Sequence, residues 1–284
     1  MSIRLEYRLS FLAKVLTLGA LLAALTSLVG AQAEATDAVP ERIDLSNFPG
    51  EFVNKVVVPI PAEIFAVLDK LEEPEWKGAI TLPESGEATT DRAILALVFG
   101  SLVGEGFIAV QAESSEDIEK IGRRVLSVSE SLSLSSAVQP HSLSIVEAAG
   151  NRDWEAVREE LDATQQTVRT TMEKLRDEEL SGLVSLGGWL RGTNAVTTFI
   201  SESFSEDKAE LLNQPGLIVH FREMLEAMPE DSKTSPQIRA ISTGLARLEA
   251  IIADGDRISE EDINELREIT QSMLSEFYFE PADS

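Results

Sequence analysis

The sequence contains no cysteine and only two histidines, His141 and His220. Without cysteine there are no disulfides, no thiolate zinc or iron–sulfur sites, no thiol nucleophile and no lipidated cysteine behind a leader. The two histidines are far apart, so the two-histidine metal face of a helix is excluded as well. Positive charge is also scarce, with 24 Lys and Arg against 49 Asp and Glu and a formal net charge of −25. A chain of that sign repels phosphate, which argues against electrostatic binding to nucleic acid or to an anionic membrane. No G-x-S-x-G elbow, phosphate-cradling glycine loop or Ser-His-Asp arrangement is legible. Acid clusters such as Glu202/Glu206/Asp207/Glu210 and Glu260/Glu261/Asp262 contain the carboxylates general acid–base chemistry needs. In so acidic a chain such clusters arise by chance and read as solvated faces.

What is present is a globular composition, 43% apolar over 284 residues. That suffices for one large or two modest domains with a buried core. The first 33 residues read as an address. Arg4, Arg8 and Lys14 form a basic lead, Val15 to Val29 is an uncharged apolar run, and Ala31-Gln32-Ala33 has the small-x-small exit of a secretory signal peptide. Cleavage is expected near Ala33, with Val29-Gly30-Ala31 as a second site. The alternative is an uncleaved membrane anchor, for which the run is short. Removing the leader takes away three basic residues and one acid, Glu6, so the mature protein is more acidic still. A periplasmic or secreted location is expected, where salt or non-specific divalent cations screen the surface. No specific cofactor is expected.

Residues 34–60 read as an extended N-terminal arm punctuated by Pro40, Pro49 and Pro59, with Val56-Val57-Val58 as a short strand or a segment lying on the body. From Pro61 the apolar period becomes helical, and residues 61–284 read as one all-α domain with a soft subdivision near Gly150. The spacing predicts helices from Pro61, over Arg92–Gln111 behind Asp91, and from the Ser114-Ser115-Glu116-Asp117 cap. Pro140 is expected to restart a short helix ending at Ala149. A three-four seam of Trp154, Val157, Leu161, Thr164, Val168, Thr171 and Leu175 predicts the next. Glu179 to Ser203 follows, then a short helix capped by Ser205, and helices from Pro215, Pro236 and Ser259. The class is therefore an all-α helical bundle or stack of helical hairpins, about nine helices in all.

Two helices carry glycines at i, i+4: Gly100/Gly104 in one and Gly188/Gly192 in the other. Small residues so spaced let backbones approach closely. Each helix also holds a lone charge among apolar residues, Glu105 in the first and Arg191 in the second. We expect the helices to pack together and the two charges to pair in the interior, because either alone is costly to bury. With Trp189 the pair forms either a register-fixing ion pair or the floor of a small ligand pocket. Residues 93–110 are apolar enough for a membrane span, but Glu105 and the glycines favour a core helix.

Asp254-Gly255-Asp256 superficially suggests a calcium loop, yet Ile252 and Ile263 fall where ligands are required and Arg257 where glycine is. The stretch Ala148 to Val157 resembles the inter-helix turn of tetratricopeptide-type repeats, but in one copy it reads as an ordinary connection. Phe277-Tyr278-Phe279 cannot all face one side of a helix. They either dock on the body or form a partner contact. The functional expectation is an exported, non-catalytic cell-envelope protein that binds or scaffolds another protein through its helix faces, self-association included. The alternatives are a carboxylate-based hydrolase or lyase, and a small-ligand carrier with a pocket near Glu105 and Arg191.

Overall fold

The computed structural model describes residues 51–53, 56–58, 61–71, 75–83, 89–175, 177–252 and 257–279. The chain divides into two units, Met1–Glu41 and Arg42–Ser284, and all described residues belong to the second. The leader, the first part of the expected arm and the Asp254-Gly255-Asp256 turn lie outside the described residues.

The protein is an all-α helical bundle. Nine helices of two turns or more are described: α1 (Pro61–Leu68), α2 (Arg92–Gln111), α3 (Ser115–Ser131), α4 (Ser135–Gly150), α5 (Trp154–Leu175), α6 (Glu178–Glu202), α7 (Pro215–Glu226), α8 (Pro236–Ile252) and α9 (Glu260–Ser275). One-turn helices, Glu206–Ala209 and Glu230–Lys233, bridge α6 to α7 and α7 to α8. Within the expected arm, Glu51–Val53 and Val56–Val58 pair antiparallel with Phe52 opposite Val57.

Local chemistry sets the boundaries. Asp91 accepts from the Ala93 and Ile94 amides at the start of α2. Ser114 accepts from Asp117 in α3, and Ser259 forms a reciprocal capping box with Asp262 in α9. Each such cap contributes about 1 kcal/mol. Three successive inter-helix turns each place a non-glycine residue at positive φ: Glu113, Ser133 and Arg152. These tight turns fold α2 to α5 back and forth as consecutive antiparallel neighbours. Pro140 does not open a helix as the sequence suggests. Instead Ser133 makes the turn, buried Leu132 and Leu134 anchor it, and α4 begins at Ser135. Pro140 then costs α4 only the bond to the exposed Ser136 carbonyl, which solvent can satisfy.

The central contact is between α2 and α6. On one side α2 is covered by α3, and on the other α6 packs against α9, which packs against α8 and through it α7. The helices on either side of Gly150 pack against each other. Helix α1 lies on α5, with Phe65 edge-on to Phe107 of α2 at 5.0 Å and the Arg158 guanidinium 4.4 Å from the Phe65 ring centre. Arg158 also pairs with Asp69 just beyond α1 at 3.1 Å. Among the described residues α2 is the one helix long and apolar enough to cross a membrane, and most of it is buried inside the bundle.

Candidate functional site

Helices α2 and α6 meet backbone to backbone. A Cβ placed on Gly100 would lie 1.9 Å from the Val184 carbonyl oxygen, and one on Gly187 would lie 2.1 Å from that of Leu97. Only glycine fits at either place. Gly104 and Gly188 sit in the same contact, whereas a Cβ on Gly192 would meet nothing within 4 Å. The close seam is thus Gly100/Gly104 against Gly187/Gly188, one residue off the i, i+4 pattern read for α6. Buried Ser101 adds a hydrogen bond across it, its hydroxyl donating to the Gly187 carbonyl at 3.1 Å.

That approach brings Glu105 and Arg191 together. Arg191 donates from Nε to Glu105 Oε2 at 2.5 Å and from Nη2 to Oε1 at 3.1 Å, and the two side chains are 1% and 0% exposed. The carboxylate has two further donors, the Thr81 amide and the Tyr278 hydroxyl, the latter at 3.2 Å. Arg191 Nη2 also donates to the Ala79 carbonyl. The pair therefore draws in the segment after the 3-10 turn Trp76–Ala79 and the end of the chain, which are remote in sequence from α2 and α6. Such completion is what a buried charge pair needs to offset its desolvation.

The aromatic run behind α9 lies on this network. Phe277 and Tyr278 are buried, and the half-buried Phe279 ring centre is 5.9 Å from the Arg191 guanidinium carbon. These side chains pack on the body of their own chain. Burial, then the neighbouring Glu105 carboxylate, push the Tyr278 phenol well above its ordinary value of 10.0. Trp189, expected beside the pair, lies elsewhere. Its indole N–H donates to Gln214 Oε1 at 3.2 Å, and its ring tilts against Phe221 at 5.4 Å.

Trp189 lines a cavity of about 300 Å³ between the α2–α5 hairpins and α6–α7. Gly104 and Val103 of α2, Leu161 and Val168 of α5, and Gly188 and Gly192 of α6 contribute to its walls, with Ile64 and Val67 of α1 at one side. No Asp, Glu, Lys, Arg or His is among the lining residues, and neither Glu105 nor Arg191 reaches it. The two features that the sequence placed in one pocket thus occupy opposite faces of the α2–α6 seam: a sealed charge network and an uncharged hollow. Gly192, with open space around it, keeps a side chain out of that hollow. The α6 wall of the hollow is the row Val184, Ser185, Gly188, Trp189 and Gly192, whose residues are all half-buried.

No family model, no curated protein and no solved structure matches this chain. Function must therefore be argued from its own sites.

One constellation escaped the sequence reading because its members lie on two helices. His141 of α4 bonds through Nδ1 to Glu160 Oε1 at 2.5 Å and through Nε2 to Thr167 Oγ1 at 2.9 Å, both on α5. The order Glu-His-Thr is that of a hydrolase triad, but the Thr167 hydroxyl donates to the Ala163 carbonyl at 2.9 Å. Thr167 also lies mid-helix, where the amides are committed to i−4 carbonyls and none is free to stabilise an oxyanion. The cluster ties α4 to α5. His220 is nearly buried beside Phe221, and that burial holds its imidazole below the usual range, with Glu223 acting in the opposite sense. Among the described residues no group of three or more His, Asp or Glu is arranged to hold a metal ion. Of the acid clusters, Glu206 pairs with Arg257 and Asp262 is the α9 capping partner.

Proposed function

We infer that the protein is an exported, non-catalytic binding protein that carries an apolar small molecule in the cavity beside Trp189. The observation that carries this reading is the cavity itself. At about 300 Å³ with uncharged walls, it has the size and lining of a small-ligand site. Native cores are close-packed, and an apolar hollow of that volume is destabilising unless something fills it. The helix faces favour a protein partner less. Among the described residues only Leu143, Leu175 and Val219 are exposed large apolar side chains, and they stand on three different helices. Export rests on the basic lead, apolar run and Ala31-Gln32-Ala33 exit.

The test is titration of the purified protein with a neutral apolar fluorophore such as N-phenyl-1-naphthylamine, beside a Gly192→Leu variant. A Cβ there meets nothing within 4 Å and the residue lines the hollow, so a leucine is expected to take up part of its volume. One-to-one saturable binding is expected, weakened at least roughly tenfold in the variant while its melting temperature is maintained; tenfold corresponds to about 1.4 kcal/mol. Absence of saturable binding, or equal binding by both proteins, would overturn the reading. N-terminal sequencing of the protein from its native envelope fraction tests export, with a start at Glu34 or Gln32 expected.

A further inference from the structure

We propose that the ligand of this cavity is a neutral amphiphile, an alkyl chain ending in a hydroxyl, ester or amide, whose polar end hydrogen-bonds to Ser142. The proposal rests on the cavity being a ligand site and says which chemistry it selects. Its first support is the charge inventory. The walls hold serine, threonine and glutamine side chains but no ionisable one. A carboxylate, phosphate or ammonium entering would lose its water and find no counter-charge. The acidic surface adds repulsion against anions on approach.

The second support is the hydrogen-bond state of the polar wall groups. Thr164 and Ser185 are committed to carbonyls of their own helices. Gln214 accepts from Trp189 and donates to the Leu211 carbonyl. Ser142 is 7% exposed, lines the cavity and has no hydrogen-bond partner among the described residues. Gln165 and Thr193 line it too without a side-chain partner, but both are half-buried, where solvent can serve them. Buried hydroxyls and amides are normally satisfied, so an orphan facing a hollow points to something that completes it. A head group can meet the Ser142 hydroxyl while the alkyl chain runs along Val103, Leu161 and Val184.

The test is displacement of bound N-phenyl-1-naphthylamine by decan-1-ol, decanoate and decylammonium. It is run at mildly alkaline pH, where the carboxylate is ionised, and at high salt, which screens the surface but not the desolvation cost. Decanol is expected to displace the probe at a concentration at least roughly tenfold lower than either ion, since an unpaired buried charge costs more than the 1.4 kcal/mol of one decade. A Ser142→Ala variant, confirmed folded by circular dichroism, is expected to bind the probe unchanged and decanol several-fold more weakly. If no probe binds saturably, both this proposal and the cavity reading fall. If the probe binds but decanoate or decylammonium competes as well as decanol, or the variant keeps full decanol affinity, this proposal falls and the cavity reading stands.

Discussion

At Glu105 and Arg191 the structure buries two charges and surrounds them with donors and acceptors from two remote parts of the chain, Ala79–Thr81 and Tyr278. Removing one partner leaves the other without compensation. Arg191→Met is expected to cost about 3–5 kcal/mol by urea denaturation. Glu105→Leu combined with Arg191→Met should cost less than the two single changes summed. It should not reach zero, because the Thr81 amide and Ala79 carbonyl lose partners in the double variant. Tyr278 carries the pH dependence of the same network. In the unfolded chain its phenol ionises near 10, whereas in the folded protein it stays protonated to higher pH. The folded state therefore binds more protons in that window. Its stabilisation is complete below the ordinary value and is lost as pH rises through the folded one. Denaturation midpoints measured from neutral pH into the alkaline range should fall above about pH 10, and Tyr278→Phe should flatten that fall.

Elements are positioned here by glycine at one seam and by strained turns elsewhere. Gly100→Ala forces a methyl into the Val184 carbonyl, so α2 and α6 must part and take the Glu105–Arg191 geometry with them. A loss of about 3 kcal/mol or more is expected. Gly192→Ala, one turn beyond the seam, has open space and should stabilise α6 by about 0.5 kcal/mol. The contrast, read in thermal melts, separates helix propensity from close approach. Ser133 holds φ at 64° in the α3–α4 turn. Ser133→Gly should therefore raise stability by about 1 kcal/mol, the left-handed penalty less the backbone entropy of glycine.

Over the whole molecule, net charge and the interior hollow act in the same direction. Self-repulsion of 49 acids against 24 bases weakens the compact state, and an apolar hollow forgoes packing contacts that a ligand supplies. Added salt should therefore raise the melting temperature, and a bound neutral amphiphile should raise it again by an amount independent of salt. A thermal-shift grid of salt against decanol checks both, and a ligand effect that disappears at high salt would contradict the assignment of an uncharged site.

The helices were legible in the residue order because their signals are local: Asp91, Ser114 and Ser259 as caps, Pro215 and Pro236 at first turns, and apolar residues three and four apart. The Glu105–Arg191 pair was legible too, because a charge stranded in an apolar helix demands a partner and α6 offered one. The start of α4 was not, since a turn through Ser133 depends on Leu132 and Leu134 finding a core to fill. Nor was the choice of Gly187 over Gly192, which depends on the crossing of α2 and α6 and so on every helix packed behind them. The separation of Trp189 from the ion pair, the fold-back of Tyr278 onto Glu105 and the cavity between the hairpins belong to tertiary structure alone. Local sequence sets which face of each helix is apolar. Which faces meet, and where they fail to meet and leave a hollow, is decided by contacts between residues far apart in the chain.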